Sequence, residues 1–298
     1  HAPEGTTMVG VEADDITAAI AALLYPSSHV RHEGFEATRV PQASFAAAIG
    51  NVPFGRYALT DPVHNPRRHN IHNHFIIKSL SLVAPGGYVA VVTSRYTMDS
   101  LKTAAREDIA ATADLIGALR LPSRAFSRVA GTEVVTDLLI FRRREADVEV
   151  SVDTLDWINT EEVDLVDPAS GDRDQVPVNA YYVNNPARVL GAMELGRGLH
   201  ASAQLTVTGA TGHLLADEIR GHLQPLIAAG VTRGHALTAR SENLTVCAPT
   251  LFTPGLCVPD TQAGDPPRYT LRYNAATSSI DYWAGHSWQD NTTPKTLI

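Results

Sequence analysis

The chain has 298 residues, 44% of them hydrophobic and 19% charged, with a net charge of −8 at pH 7. That length suits two domains and is ample for a sizeable core, and the acidic balance argues against broad nonspecific nucleic-acid binding. Cysteine is confined to Cys247 and Cys257, a spacing that matches no usual zinc motif and builds no disulfide framework, so a reducing cytoplasm is the expected home. No apolar run approaches the roughly 18 residues of a membrane span, and the first residues lack the basic start and apolar stretch of a signal peptide.

In chain order, residues 7–12 read as a strand ending in an acid, Glu12, and residues 15–24 as a helix with an acidic start and apolar residues near 3.6 spacing. Residues 29–35 form a short strand. The apolar run 45–50 reads as a buried strand, closed by Asn51-Val52-Pro53-Phe54. From 71 to 83 the apolar residues Ile71, Phe75, Ile76, Leu80 and Val83 fall at helical spacing, and Ala84-Pro85-Gly86-Gly87 breaks the pattern. Residues 88–94 form a β-branched strand, 100–113 a helix, and 115–122 and 134–141 two more strands. Such alternation is the signature of βαβ units.

The second half is plainer. Residues 151–174 are acidic and read as a loop anchored by Trp157. Residues 205–208 form a strand, followed by a Gly-containing turn at 209–212 and a helix at 214–229 that Pro225 should kink or end. Residues 241–267 read as a linker. Residues 269–273 and 280–283 alternate as a hairpin whose aromatics are expected to cover a small hydrophobic face. There is no internal repeat and no phosphate-binding loop of a helicase motor.

The tetrad sits at a strand's carboxyl end, where open α/β sheets place their ligands. It resembles the Asn-Pro-Pro-Tyr/Phe motif of N6-adenine DNA methyltransferases, with Val52 in place of the usual first Pro. That resemblance implies a division of labour. The Asn51 side-chain oxygen and the Val52 carbonyl each accept one N–H of an exocyclic amine, Pro53 stiffens the turn, and the Phe54 ring stacks on a flipped base. Other pieces follow in the family's order. Glu12, with Ala13 beside it, looks like the acid that holds the ribose of S-adenosylmethionine. Phe35 matches the residue beside the cofactor's adenine, whereas Gly34 stands where an acid is expected, with Glu33 or Glu36 as substitutes. The run 82–93 resembles the late helix–turn–strand of class I methyltransferases, and 134–141 the terminal antiparallel strand of that fold.

The resemblance covers roughly residues 7 to 145. It is nearest to the methyltransferase part of large helicase–methyltransferase polypeptides of plasmids and phages, on Gly50-Asn51-Val52-Pro53-Phe54-Gly55, Ile71-His72-Asn73-His74-Phe75 and Gly131-Thr132-Glu133-Val134. Residues 178–183 and 186–191 look like the connector those proteins carry. Family members of this order begin with a strand and a Gly-rich turn that hold the methionine end of the cofactor, roughly 20 residues before the ribose acid. The chain starts too close to Glu12 to contain them. The expectation is therefore an N-terminally truncated piece whose central first strand is missing and which binds S-adenosylmethionine poorly by itself. A circular permutation that uses the strand and turn at 205–212 instead is the lesser alternative.

Charge is uneven. Residues 51–145 hold thirteen Lys/Arg against eight Asp/Glu, whereas 146–298 hold nine against eighteen. Arg67, Arg68, Arg124 and Arg128 fall in loops, where contacts to DNA phosphates are expected, while Arg142-Arg143-Arg144 reads as a solubilising strand end. The segment 64–74 holds His69, His72 and His74 without an acid or Cys among them; no metal site is expected, and the segment reads as a polar loop ending in a helix cap at Asn70.

The resulting expectation is an α/β chain with a Rossmann-like class I methyltransferase sheet at 1–145, a connector at 146–200 and a smaller α+β region at 201–298. Its function is S-adenosylmethionine-dependent methylation of adenine N6 in DNA, within a larger restriction, defence or mobile-element protein. The partners are DNA and the rest of that polypeptide, including an upstream cofactor motif and a helicase region, and no membrane. Two alternatives stay open: a protein glutamine N5-methyltransferase, because an amide nitrogen needs the same acceptors, and a catalytically inactive docking module.

Overall fold

A computed structural model describes residues 5–127, 133–145, 148, 150, 155–197 and 203–237, with the backbone of three strands between 271 and 290. The chain divides into two compact units, residues 1–39 with 244–298, and residues 40–243.

In the first unit, strands β1 (Val9–Glu12) and β2 (His29–His32) pair in parallel, in register from Val9↔His29 to Glu12↔His32. Helix α1 (Asp15–Leu24) joins them. The Asp14 carboxylate starts it by accepting from the Thr17 backbone N–H at 2.8 Å and its hydroxyl at 2.7 Å, satisfying a donor the first turn leaves free. Parallel strands joined through a helix are the βαβ unit read from the sequence.

The second unit is built on β3 (Phe45–Asn51), α2 (Ile71–Leu82), β4 (Val83–Ser94), α3 (Tyr96–Asp99), α4 (Ala104–Ala110), β5 (Ala113–Leu121) and β6 (Thr136–Arg143). The sheet order is β3-β4-β6-β5. β3 and β4 are parallel, and β6 is antiparallel to both its neighbours, so three strands share one direction and the last strand in sequence is inserted reversed. This is a Rossmann-like mixed sheet, with the reversed strand where the family resemblance implied it. β3 is an edge strand among the described residues, and Ile49 on it is 84% exposed.

Three local differences have physical causes. β4 starts at Val83, before the Gly-rich break, because the break is a bulge inside the strand: Phe45 pairs with Val83 and Ala47 with Tyr88. Gly86 takes φ +78° there, and a Cβ on Gly87 would run into the Ala46 carbonyl. The helix expected over 100–113 is reduced to α4, because the carbonyls of Thr97 and Ser100 accept from the Arg106 guanidinium instead of from helix N–H groups. Arg143 and Arg144 are clasps rather than a soluble end. Arg143 donates to the carbonyls of Ser81 and Val83, and buried Arg144 pairs with Asp114 at 2.8 Å.

Ile76 and Leu80 of α2 pack with Val89, Val91, Leu139 and Phe141 of the sheet. The same core continues through Trp157, which is 1% exposed, into β7 (Thr160–Val166), β8 (Arg173–Asn179) and α5 (Ala180–Asn184). β7 corrects the loop expected at 151–174. From Glu162 to Val166 the residues alternate, Glu162, Asp164 and Val166 exposed and Val163 and Leu165 toward the core, so the acidic composition hid a period-two strand. β9 (Ala192–Arg197) and β10 (Ala203–Thr208) form an antiparallel pair. β10 is therefore not a strand of the main sheet, which sets aside the permuted arrangement. α6 (Gly212–Thr232) runs through Pro225 instead of ending near it; a helix of 21 residues survives the loss of one backbone donor. Finally, β11 (Leu271–Asn274), β12 (Ser279–Trp283) and β13 (Trp288–Asp290) form an antiparallel sheet that contains the expected hairpin; the linker expected at 241–267 lies outside the described residues. No helix among the described residues is long and apolar enough to cross a membrane.

Candidate active site at the carboxyl ends of β3 and β4

Asn51 is the last residue of β3 and sits opposite Val92 of β4. Beyond it the ladder continues by one bond, from the Val52 N–H to the Val92 carbonyl at 3.0 Å. A proline at position 52 has no such donor, so the departure from the family's motif lengthens the strand pairing. Val52 is 6% exposed and belongs to the core. It pins a tetrad whose other members, Asn51, Pro53 and Phe54, are exposed, Phe54 by 41%. The Asn51 amide has no hydrogen-bond partner among the described residues, so its oxygen and nitrogen face outward unspent.

The chain leaves the tetrad through Gly55, where a Cβ would crowd the Tyr57 ring and lie 3.3 Å from Ile71 Cγ2. The Ile71 N–H donates to the Tyr57 carbonyl at 2.9 Å, tying the exit loop to the start of α2. His72, 3% exposed, lies against the Gly55 backbone, though neither ring nitrogen completes a hydrogen bond. Burial pushes its pKa down and the Gly55 backbone only partly offsets that, leaving it at about 4, so His72 is neutral at pH 7.

Beneath the loop, buried Asp61 accepts from Lys78 Nζ at 2.9 Å and contacts His74 Nε2 and His64 Nδ1, each at 3.2 Å. Burial raises the Asp61 pKa, but the hydrogen bonds from Lys78, the His64 backbone and His74 outweigh it and hold the carboxyl well below its usual range. His69 is engaged by Asp108 at 2.6 Å. His64, His69 and His74 are thus taken up by two carboxylates, Asp61 and Asp108, while His72 is not. The expected Asn70 cap makes no side-chain hydrogen bond; Asn65 holds the loop instead, accepting from the His69 N–H at 2.7 Å and donating to the Leu59 and His69 carbonyls.

On the β4 side, the turn after Ser94 carries Arg95 and Tyr96. The Arg95 guanidinium lies 4.4 Å and that of Arg56 5.6 Å from the Tyr96 ring centroid, which joins the tetrad's exit loop to the β4–α3 turn. Arg95 pairs with Asp99 at 3.2 Å. Asp99 in turn meets Arg120 at 2.8 Å, and Arg120 is bidentate to Asp137 at 2.9 and 3.0 Å. Asn179 fastens β8 onto this network through its N–H to Asp99.

The other sequence-derived residues are placed as follows. Half-buried Glu12 ends β1 and accepts from the Asp14 N–H through Oε1 at 3.0 Å; Ala13 is exposed beside it. Gly34 and half-buried Phe35 follow β2. A Cβ on Gly34 would strike the Glu36 carboxylate, so Glu36 lies over the position of the missing acid, whereas Glu33 is paired with Arg31 at 2.5 Å. Arg67 pairs with Asp108 at 2.6 Å and Arg124 with Glu133 at 3.1 Å; Arg68 is exposed in a left-handed turn, φ +54°. Arg128 lies outside the described residues. Much of the basic excess of 51–145 is internal: Lys78, Arg106, Arg120 and Arg144 are buried. A cavity of about 450 Å³ between α2 and α4 is lined by His64, Arg67, His69, Leu80, Asp108 and Arg143 among others, and no tetrad residue reaches it.

No protein-family model matches the chain. A stretch of 152 residues, 49% of the chain, is 30% identical to defense against restriction protein B of Escherichia phage P1, and it spans 7% of that protein. Among solved structures, a putative class I S-adenosylmethionine-dependent methyltransferase of Listeria monocytogenes is 17% identical with a TM-score of 0.41, over 49% of this chain and 47% of that one. A modification subunit of a putative type I restriction enzyme from Vibrio vulnificus is 14% identical with a TM-score of 0.40, over 67% and 46%. The EcoKI M protein is 16% identical with a TM-score of 0.39, over 80% and 62%. At such scores the fold rests on this chain's own strand order.

Proposed function

We propose that this chain supplies the target-amine site and the adenosine-facing residues of an S-adenosylmethionine-dependent DNA adenine N6-methyltransferase acting within a larger defence or restriction-related polypeptide in the cytoplasm. The observation that carries this reading is the tetrad: an exposed Asn51, whose amide has no partner among the described residues, at the carboxyl end of a parallel strand, pinned by Val52 and followed by an exposed Phe54. The similarity to a phage defence protein supports the setting.

In this reading the Asn51 side-chain oxygen and the Val52 carbonyl each accept one N–H of the adenine amine. Two acceptors aimed at one nitrogen draw its lone pair out of the ring system, and Phe54 stacks on the base. Glu12 holds ribose hydroxyls with the oxygen that Asp14 leaves free, Glu36 stands in over Gly34, and Phe35 lies against adenine. S-adenosylmethionine, when bound, supplies the electrophilic methyl group. The proton released by the methylated amine leaves past Asn51 to water.

The test is tritiated methyl incorporation by the full-length natural polypeptide into adenine-containing duplexes, with glutamine-bearing peptides in parallel. Asn51→Ala should lower the rate by roughly 10²–10³ with cofactor affinity nearly intact, because a preorganised acceptor acts mainly in the transition state. Glu12→Ala should weaken cofactor binding first. Incorporation into peptide rather than DNA would replace adenine by glutamine as the substrate.

A further inference from the structure

Arg56 follows the tetrad after Gly55 and is exposed. Among the described residues it makes no ion pair, and its guanidinium is held 5.6 Å from the centroid of the Tyr96 ring, itself 41% exposed. The charges behind it are almost matched. Arg95 and Arg120 face Asp99 and Asp137 in one connected network, and the Arg95 guanidinium also lies on Tyr96, at 4.4 Å. Among the described residues, Arg56 is thus an exposed cation of this corner without a carboxylate partner. Of the other exposed arginines expected to face a nucleic acid, Arg67 and Arg124 already have carboxylate partners, whereas Arg68 makes no ion pair among the described residues but has no aromatic ring against it there either.

Position adds to charge. β3 and β4 are parallel with Asn51 opposite Val92, so Arg56, in the loop after β3, and Tyr96, the first residue of α3 after β4, both follow the carboxyl end of the sheet at which Asn51 lies. A planar fork of N–H donors, unpaired and steadied by an aromatic face, suits a phosphate oxygen.

We propose that Arg56, steadied by Tyr96, binds a backbone phosphate of the nucleic-acid strand next to the base presented to Asn51. The proposal rests on the nucleic-acid reading above. Arg56 is the contact, and Tyr96 is a positioning residue that sets the direction of the guanidinium and limits its freedom before binding.

Fluorescence anisotropy of the 298-residue chain with a labelled adenine-containing duplex, across a salt series, tests it. Arg56→Ala should weaken binding by roughly three- to tenfold and reduce the salt slope by about one, the signature of one lost phosphate contact. Tyr96→Phe should bind as wild type, and Tyr96→Ser should shift in the same direction as Arg56→Ala. Duplexes carrying one neutral methylphosphonate linkage locate the phosphate: one position flanking the target adenine should weaken wild type and leave Arg56→Ala unaffected. Equal affinities and slopes for wild type and Arg56→Ala overturn the proposal, as does sensitivity of both proteins to every neutral linkage alike. Should Asn51→Ala still abolish methyl transfer in that event, the phosphate contact fails and the methyltransferase reading stands. Should the wild type bind no duplex at all, the phosphate contact falls, and methyl incorporation by the full-length polypeptide decides the methyltransferase reading separately.

Discussion

His72 and Asp61 show how single residues shape the loop behind the tetrad. Burial holds His72 at a pKa of about 4 against an ordinary 6.5, and His74 is lowered as well, by burial that its Asp61 contacts only partly offset. Between those pH values the unfolded chain binds protons that the native chain refuses. Stability is thus fully present above about pH 6.5 and falls as pH drops toward 4, by about 3 kcal/mol for His72 alone. Asp61 has the depressed pKa of a paired carboxyl, so its contribution is present above about pH 4 and is lost only at lower pH. Urea unfolding at pH 7.5 and pH 5 should show this loss, and His72→Gln should shrink the difference between the two midpoints. Equal pH dependence in wild type and His72→Gln would assign the effect elsewhere. This part of the loop was poorly legible in the sequence. The histidines were visible, and Asp61 lies only three residues before His64, but its pairing to His74 and that of Asp108 to His69 span 13 and 39 residues, beyond any local pattern.

At the scale of elements, the sequence was legible wherever apolar spacing matched one period over a whole segment. α1 spans the expected residues, and β3 and β6 fall within a residue or two. It failed where tertiary partners overrode local preference: at α4, shortened by Arg106, and at β7, hidden by acidic residues on its outer face. The two glycines over the sheet separate packing against backbone from packing against a side-chain tip. A Cβ on Gly87 would meet the Ala46 and Ala84 carbonyls, the latter at 2.9 Å, inside the β3–β4 bulge, whereas a Cβ on Gly117 would meet the flexible end of Leu226 at 2.5 Å. Gly87→Ala should therefore cost about 2 kcal/mol or more and Gly117→Ala under about 1 kcal/mol. Chemical denaturation of both variants checks the order, and a reversed order would show that the bulge yields more easily than the helix packing.

At the scale of the molecule, both hydrophobic clusters among the described residues lie within residues 40–243, while α1 of the first unit buries only Ala18. Residues 40–243 expressed alone should unfold cooperatively, with a denaturation midpoint close to that of the full chain, and a broad transition without loss of near-ultraviolet dichroism on heating would contradict it. The tetrad travels with this unit. The chemistry proposed for it is readable from four consecutive residues, whereas the Val52 bond to Val92, the Glu36 carboxylate over Gly34 and the Arg56–Tyr96 contact depend on pairings that only the folded backbone creates. The most direct test of the central claim is nucleoside mass spectrometry of duplex DNA incubated with S-adenosylmethionine and the full-length natural polypeptide. N6-methyldeoxyadenosine is expected with the wild type and a yield lower by roughly 10²–10³ with Asn51→Ala; equal yields from the two proteins, or no methylated adenine from either, would contradict the methyltransferase reading.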